Sequence, residues 1–191
     1  MSTAVTATAH DQVTTWVKDV YALEGHLEEA LDEQIKLDTI SPEVGDALQF
    51  FHDTVRDSKM RIERHLATLD GGDASSLKET IGEALGSMAG WVNQLRADSV
   101  ARAVRDDYVA FSGIQVSYAM LVTSARALGD DATAQVAEQA LADYARLIQR
   151  ANHVLPTVTV DDITANDDVE LVNPDAADAG RAAIDAAWSR N

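Results

Sequence analysis

The sequence contains no cysteine. Disulfides, thiolate metal sites, iron–sulfur clusters and cysteine nucleophiles are therefore excluded together. Proline occurs only at Pro42, Pro156 and Pro174, each read here as a helix start or a point just past a helix end. No apolar run approaches the roughly 18 residues that a membrane span needs. The opening segment, Met1 to Ala9, has neither a basic stretch nor an apolar stretch of the secretory kind, so a cytoplasmic location is expected. No phosphate-binding loop, dinucleotide fingerprint or nucleophile elbow occurs. No glutamate stands three residues before a histidine: Leu23, Gln49, Ile62 and Arg150 precede His26, His52, His65 and His153 at that spacing.

Lysine is the next scarcity. There are 4 Lys and 11 Arg against 22 Asp and 10 Glu, a formal charge of -17 on 191 residues. A polyanion meets repulsion and no basic stripe, so nucleic acid is excluded as a main partner, and anionic membranes for the same reason. High Asp with little Lys also suggests a halophilic adaptation, in which salt screens self-repulsion. Apolar residues make up 46%, enough for a packed core.

Apolar residues recur every three or four positions, so the chain reads as all-α. Long helices are predicted over about 11–37, 42–69, 99–128 and 132–155, with a shorter one over about 75–95. Ser41-Pro42 opens the second, and Gly71-Gly72 and Gly129-Asp130 close the second and the third long helix. Helices of about 24–30 residues run roughly 36–45 Å and must bury their stripes against one another, which gives a four-helix bundle. The shorter helix before the third long one is expected to carry the chain across an end or along the side of the bundle, so that the topology is not a plain up-down-up-down. Residues 1–10 are read as a disordered N-terminus, 11–156 as the bundle, and 157–191 as an acidic tail with a short helix after Asn173-Pro174-Asp175.

One carboxylate violates the pattern. With Val13 at zero and 100° per residue, Val20 falls at about 340°, Glu24 at about 20° and Leu31 at about 0°. Glu24 thus sits inside an apolar stripe, where it needs a metal, an inward arginine or water. His26, at about 220°, points away from that stripe. Two further features suggest packing or self-association: the ridge Gly82, Gly86, Gly90, whose glycines each cost about 1 kcal/mol in a helix interior, and the tail pair Ile184 and Trp188. The four tyrosines read as core or interface residues.

Asp19-Val20-Tyr21-Ala22-Leu23-Glu24 resembles the first-helix opening of the YciF-type ferritin-like proteins, a stress-associated bacterial family. Ala103-Val104-Arg105-Asp106 resembles the start of that family's third long helix, and Leu128-Gly129-Asp130-Asp131 its turn into the last. The resemblance spans roughly residues 11–155 in the same order. It implies a ferritin-like four-helix bundle and a di-metal centre. At the corresponding positions stand Glu24; Thr54, Asp57 and Arg61; Ser117, Tyr118 and Met120; and Glu138 and Asp143. Glu24, Asp57, Glu138 and Asp143 are the remaining candidate metal ligands, too few for a loaded di-iron pair. The expectation is a non-catalytic, stress-associated, homo-oligomeric bundle without a cofactor. The alternatives are a divergent di-iron oxidase or iron-handling protein, and a structural component of a larger assembly.

Overall fold

The computed structural model describes residues 2–37, 41–69, 99–165 and 169–189, with side chains from His10 onward. Those residues form five helices and no strand: α1 Ser2–Gln34, α2 Pro42–Leu69, α3 Val100–Leu128, α4 Asp131–Thr164 and α5 Ala176–Trp188. The all-α reading therefore holds. The shorter helix expected over 75–95, with Gly82, Gly86 and Gly90, lies outside the described residues.

Each long helix carries a seam that alternates steps of three and four, and the seams make the core. In α1 it runs Val13, Val17, Val20, Glu24, Leu27, Leu31, Gln34; in α2 Val44, Leu48, Phe51, Val55, Ser58, Ile62. In α3 it runs Val104, Asp107, Phe111, Ile114, Tyr118, Leu121, Ala125; in α4 Ala137, Ala140, Tyr144, Leu147, Ala151, Val154, Val158. Every one of these residues is buried. A sustained seven-residue repeat of this kind is the sequence of helices packed nearly side by side.

Cross-helix contacts set the directions. Ser58 meets Glu24 and His52 meets Asp32, eight residues on in α1 and six back in α2, so α1 and α2 are antiparallel. Gln34 meets Asp107, at the opposite end of α1 from the α3–α4 turn, so α1 and α3 are antiparallel. Arg61 meets Asp143, His65 meets Thr133 and Thr157 meets Glu43, so α2 and α4 are antiparallel. Helices α2 and α3 thus run the same way on one diagonal, and Leu69 and Ser99 stand at opposite ends of the bundle. This is the topology that a plain up-down-up-down arrangement cannot give.

Local chemistry fixes the turn between α3 and α4. Gly129 adopts φ 76°, the left-handed conformation that ends a helix and disfavours a side chain. Asp130 then caps α4, accepting from the Thr133 backbone N–H at 3.0 Å and its hydroxyl at 2.7 Å. With that hydroxyl proton committed, His65 Nε2 must be the donor to Thr133 Oγ1 at 2.8 Å, pinning α2 to the same corner.

Two boundaries differ from expectation. Helix α1 begins at Ser2, so residues 2–10 are helical. Helix α4 does not stop before Pro156 but continues through it to Thr164. Proline removes one backbone donor and one rung of the ladder, but Val154 and Val158 on either side are buried, and their packing holds the helix together. The tail helix docks: Arg181 Nη1 donates to Thr157 Oγ1 at 2.6 Å, and Gly180 packs closely on the Pro156 ring. Of the tail pair, Ile184 is half-buried, whereas Trp188 is 57% exposed.

Candidate functional site

Glu24 is fully buried at mid-bundle, and each of the other three long helices brings a hydroxyl to its level. Ser58 of α2 donates its hydroxyl to Glu24 Oε1 at 2.7 Å. Tyr118 of α3 and Tyr144 of α4 are wholly buried, their ring centroids 5.6 Å apart. Both phenols lie close enough to bias the ionisation of Glu24 but outside hydrogen-bonding geometry. Ser58 is accordingly the one donor assigned. Glu24 Oε2 and both phenol oxygens are buried without a hydrogen-bond partner. An edge-to-face ladder continues the layer along the core, with Phe111–Tyr144 at 6.3 Å and Phe51–Phe111 at 5.1 Å.

Burial pushes the Glu24 carboxyl up to about 7, against the opposing pull of Ser58, the two phenols and the Arg61 guanidinium. Burial and the Glu24 charge push both phenols well above the usual tyrosine range. Near neutral pH this layer therefore holds two protonated phenols and a carboxyl close to its midpoint. Its hydroxyls and its carboxyl are all fully buried, with none of them open to a substrate at the surface.

Arg61 decides what the layer can hold. Its guanidinium donates to Asp143 of α4, which also pairs with Arg146. Of the four candidate ligands, only Glu24 belongs to the layer. Asp57 is exposed beside Arg56 at 3.5 Å. Glu138 is about half exposed and pairs with Arg126 at 2.9 Å. Asp143 is turned to two arginines. Among the described residues no three His, Cys, Asp or Glu side chains lie together as a metal would require. One carboxylate, three hydroxyls and a guanidinium do not fit a di-metal centre, which draws on anionic oxygens and imidazoles from four helices.

A second buried carboxyl is found that the sequence reading passed over. Asp107, in the seam of α3, is fully buried and accepts from Gln34 Nε2 at 2.9 Å. Burial lifts it to about 7, the Gln34 hydrogen bond opposes this, and the neighbouring Asp106 adds to the rise. Asp107 Oδ2 and Gln34 Oε1 remain buried and unpaired. Glu24 is thus not the sole acid inside a stripe. The signal was present: Val100, Val104, Asp107, Phe111, Ile114, Tyr118 steps by four and three throughout, and the aspartate occupies a core position of that repeat. The same count places Ser58 and Gln34 inside. His26, expected to face away, is buried too, its Nε2 without a partner.

Comparison with known families bears on this geometry. A family model described as "Domain of unknown function (DUF892)" matches residues 8–163, which covers α1 to α4 almost entirely. The chain belongs to that family, a ferritin-like one. No curated protein and no solved structure matches it.

Proposed function

With membership of DUF892 as the premise, we propose that this protein is a non-catalytic ferritin-like bundle whose di-metal centre has been replaced by a polar layer. One observation carries the reading: Arg61 brings a permanent cation to the Glu24 layer and engages Asp143, where a metal centre would need anionic ligands. The YciF-type character, the association with stress and the cytoplasmic location belong to the same proposal and rest on the residue resemblance. The test is metal analysis of protein purified without chelators from iron-supplemented cells. The expected result is far below one iron per chain. A content of about two irons per chain would instead establish the divergent di-iron protein.

The proposal includes self-association through the outer face of α3. Tyr108 to Ala125 is an 18-residue stretch without a charged side chain in a chain of net charge -17. Val109, Val116 and Met120 share its outer face, each more than half exposed. Two such anionic chains approach with least repulsion where neither carries charge. Light scattering is expected to give at least twice the 20.5 kDa chain mass, reduced by Val116→Lys. A monomeric wild type would remove this part of the proposal.

A further inference from the structure

Among the described residues the cations are nearly all committed. Arg56, Arg61, Arg105, Arg126, Arg146, Arg181, Lys36 and Lys59 each form an ion pair. Arg64 donates to the Met60 carbonyl. Arg150 is the exception: it is half-buried and has neither ion pair nor hydrogen bond among the described residues. With 32 acids to 15 bases, an arginine left without a partner stands against the general pattern.

Its surroundings form a cleft. Arg146, Gln149, Arg150 and His153 follow one another along α4 at steps of three, one and three, and with Asp46 and Phe50 of α2 they line a shallow, widely open depression of about 530 Å³. A second cavity of about 250 Å³ adjoins it, sharing Gln149 and His153 and walled by Arg181, Ile184 and Trp188 of the docked tail helix. The other cations here are occupied: Arg146 by Asp143, Arg181 by Asp178 at 2.7 Å, and His153 by Glu43 at 3.2 Å. Arg150 alone keeps its fork of donors free. Phe50, 38% exposed, and Trp188, 57% exposed, bring aromatic surface to the two cavities.

We propose that this cleft, between α2, α4 and α5, binds a planar aromatic carboxylate, the anion on Arg150 and the ring against Phe50. The chemistry selects that class. A guanidinium presents parallel N–H groups that match a carboxylate in two-point contact. A ring of low polarity covers the exposed Phe50 face, which an inorganic anion leaves wet. Three arginines line the two cavities against Asp46 and Asp185, so cations outnumber carboxylates there, reversing the ratio of the chain as a whole. The site is separate from the Glu24 layer and does not depend on how that layer is read.

The test is calorimetric titration of the full chain with 2-naphthoate, with 2-naphthalenemethanol and inorganic phosphate as parallel probes. Saturable one-to-one binding of naphthoate is expected, weakened about tenfold or more in Arg150→Gln and in Phe50→Ala, a loss of about 1.4 kcal/mol at minimum. Arg56→Gln, at an exposed pair on α2, should leave it unchanged. Equal affinity of wild type and Arg150→Gln overturns the proposal, as does the absence of saturation by about 1 mM, an affinity of only about -4 kcal/mol. Phosphate binding as tightly as naphthoate overturns the aromatic assignment.

Discussion

Glu24 and Asp107 are both wholly buried, and burial lifts both to about 7, yet their surroundings differ. Glu24 has Ser58, two phenols and Arg61 pulling its proton off, so four groups from three helices favour the anion. Asp107 has one neutral donor, Gln34, and a neighbouring acid, Asp106, that opposes ionisation. The first is a layer that tolerates charge, and the second is a pair that resists it. Buried carboxyls reach the same midpoint by different balances of desolvation and hydrogen bonding. With Glu24 itself on α1, the supporting groups bring all four long helices to one level and tie their register together.

The largest expected effect is on stability against pH. Both carboxyls have raised midpoints in the folded state, so between about pH 4 and pH 7 the folded chain holds protons that the unfolded chain has lost. Stability must then fall as pH rises through that window and level off above it. Each carboxyl contributes roughly 3–4 kcal/mol, on the scale of 1.36 kcal/mol for each tenfold change in proton affinity. His65, whose midpoint burial lowers, acts in the opposite direction and blunts the trend. Urea unfolding at pH 5 and pH 8 measures the slope. The double variant Glu24→Gln, Asp107→Asn should flatten it and be more stable than wild type at pH 8. Asp107→Asn alone is expected to gain more than Glu24→Gln, because the new amide can donate to the unpaired Gln34 Oε1. A double variant with the wild-type slope would show that neither carboxyl sets it.

Next in size is truncation. At pH 6, Glu24→Ala removes the acceptor for Ser58 and opens a hole before two tyrosines, for an expected loss of about 2–4 kcal/mol. Asp107→Ala abandons only the Gln34 amide and should cost about 1–3 kcal/mol. Thermal or urea unfolding separates the two. Equal losses would mean that the aromatic layer gives Glu24 no support beyond its single hydrogen bond.

Much of this was legible in the residues. Four helices, their turns and the Glu24 anomaly follow from the three-and-four spacing and from Gly129-Asp130. The partners of Glu24 did not follow, because periodicity tells which face a side chain occupies and not which residue stands opposite. Arg61 and Tyr118 fall at positions that the family resemblance implied, but their convergence depends on register, which only packing sets. Asp107 was obscured by its neighbours: Arg105-Asp106-Asp107 reads as a solvated charge run, while the seam count alone puts its last member inside. Pro156 misled through its usual meaning, since local propensity yields where flanking valines are buried.

The smallest effect is the sharpest test of separateness. Ser58→Ala deletes the one hydrogen bond that Glu24 accepts among the described residues, at an expected cost of about 1 kcal/mol. The same bond favours the anion, so its loss must raise the Glu24 midpoint further above 7. Asp107 pairs with Gln34, ten residues along α1 from Glu24 and hence about 15 Å away at 1.5 Å per residue. Groups that far apart, with no shared partner, act nearly independently. A carboxyl-carbon NMR titration should therefore show the Glu24 midpoint moving up in Ser58→Ala while the Asp107 midpoint stays in place. If both move together, the two buried acids form one coupled system through α1, and the contrast between a layer that tolerates charge and a pair that resists it fails.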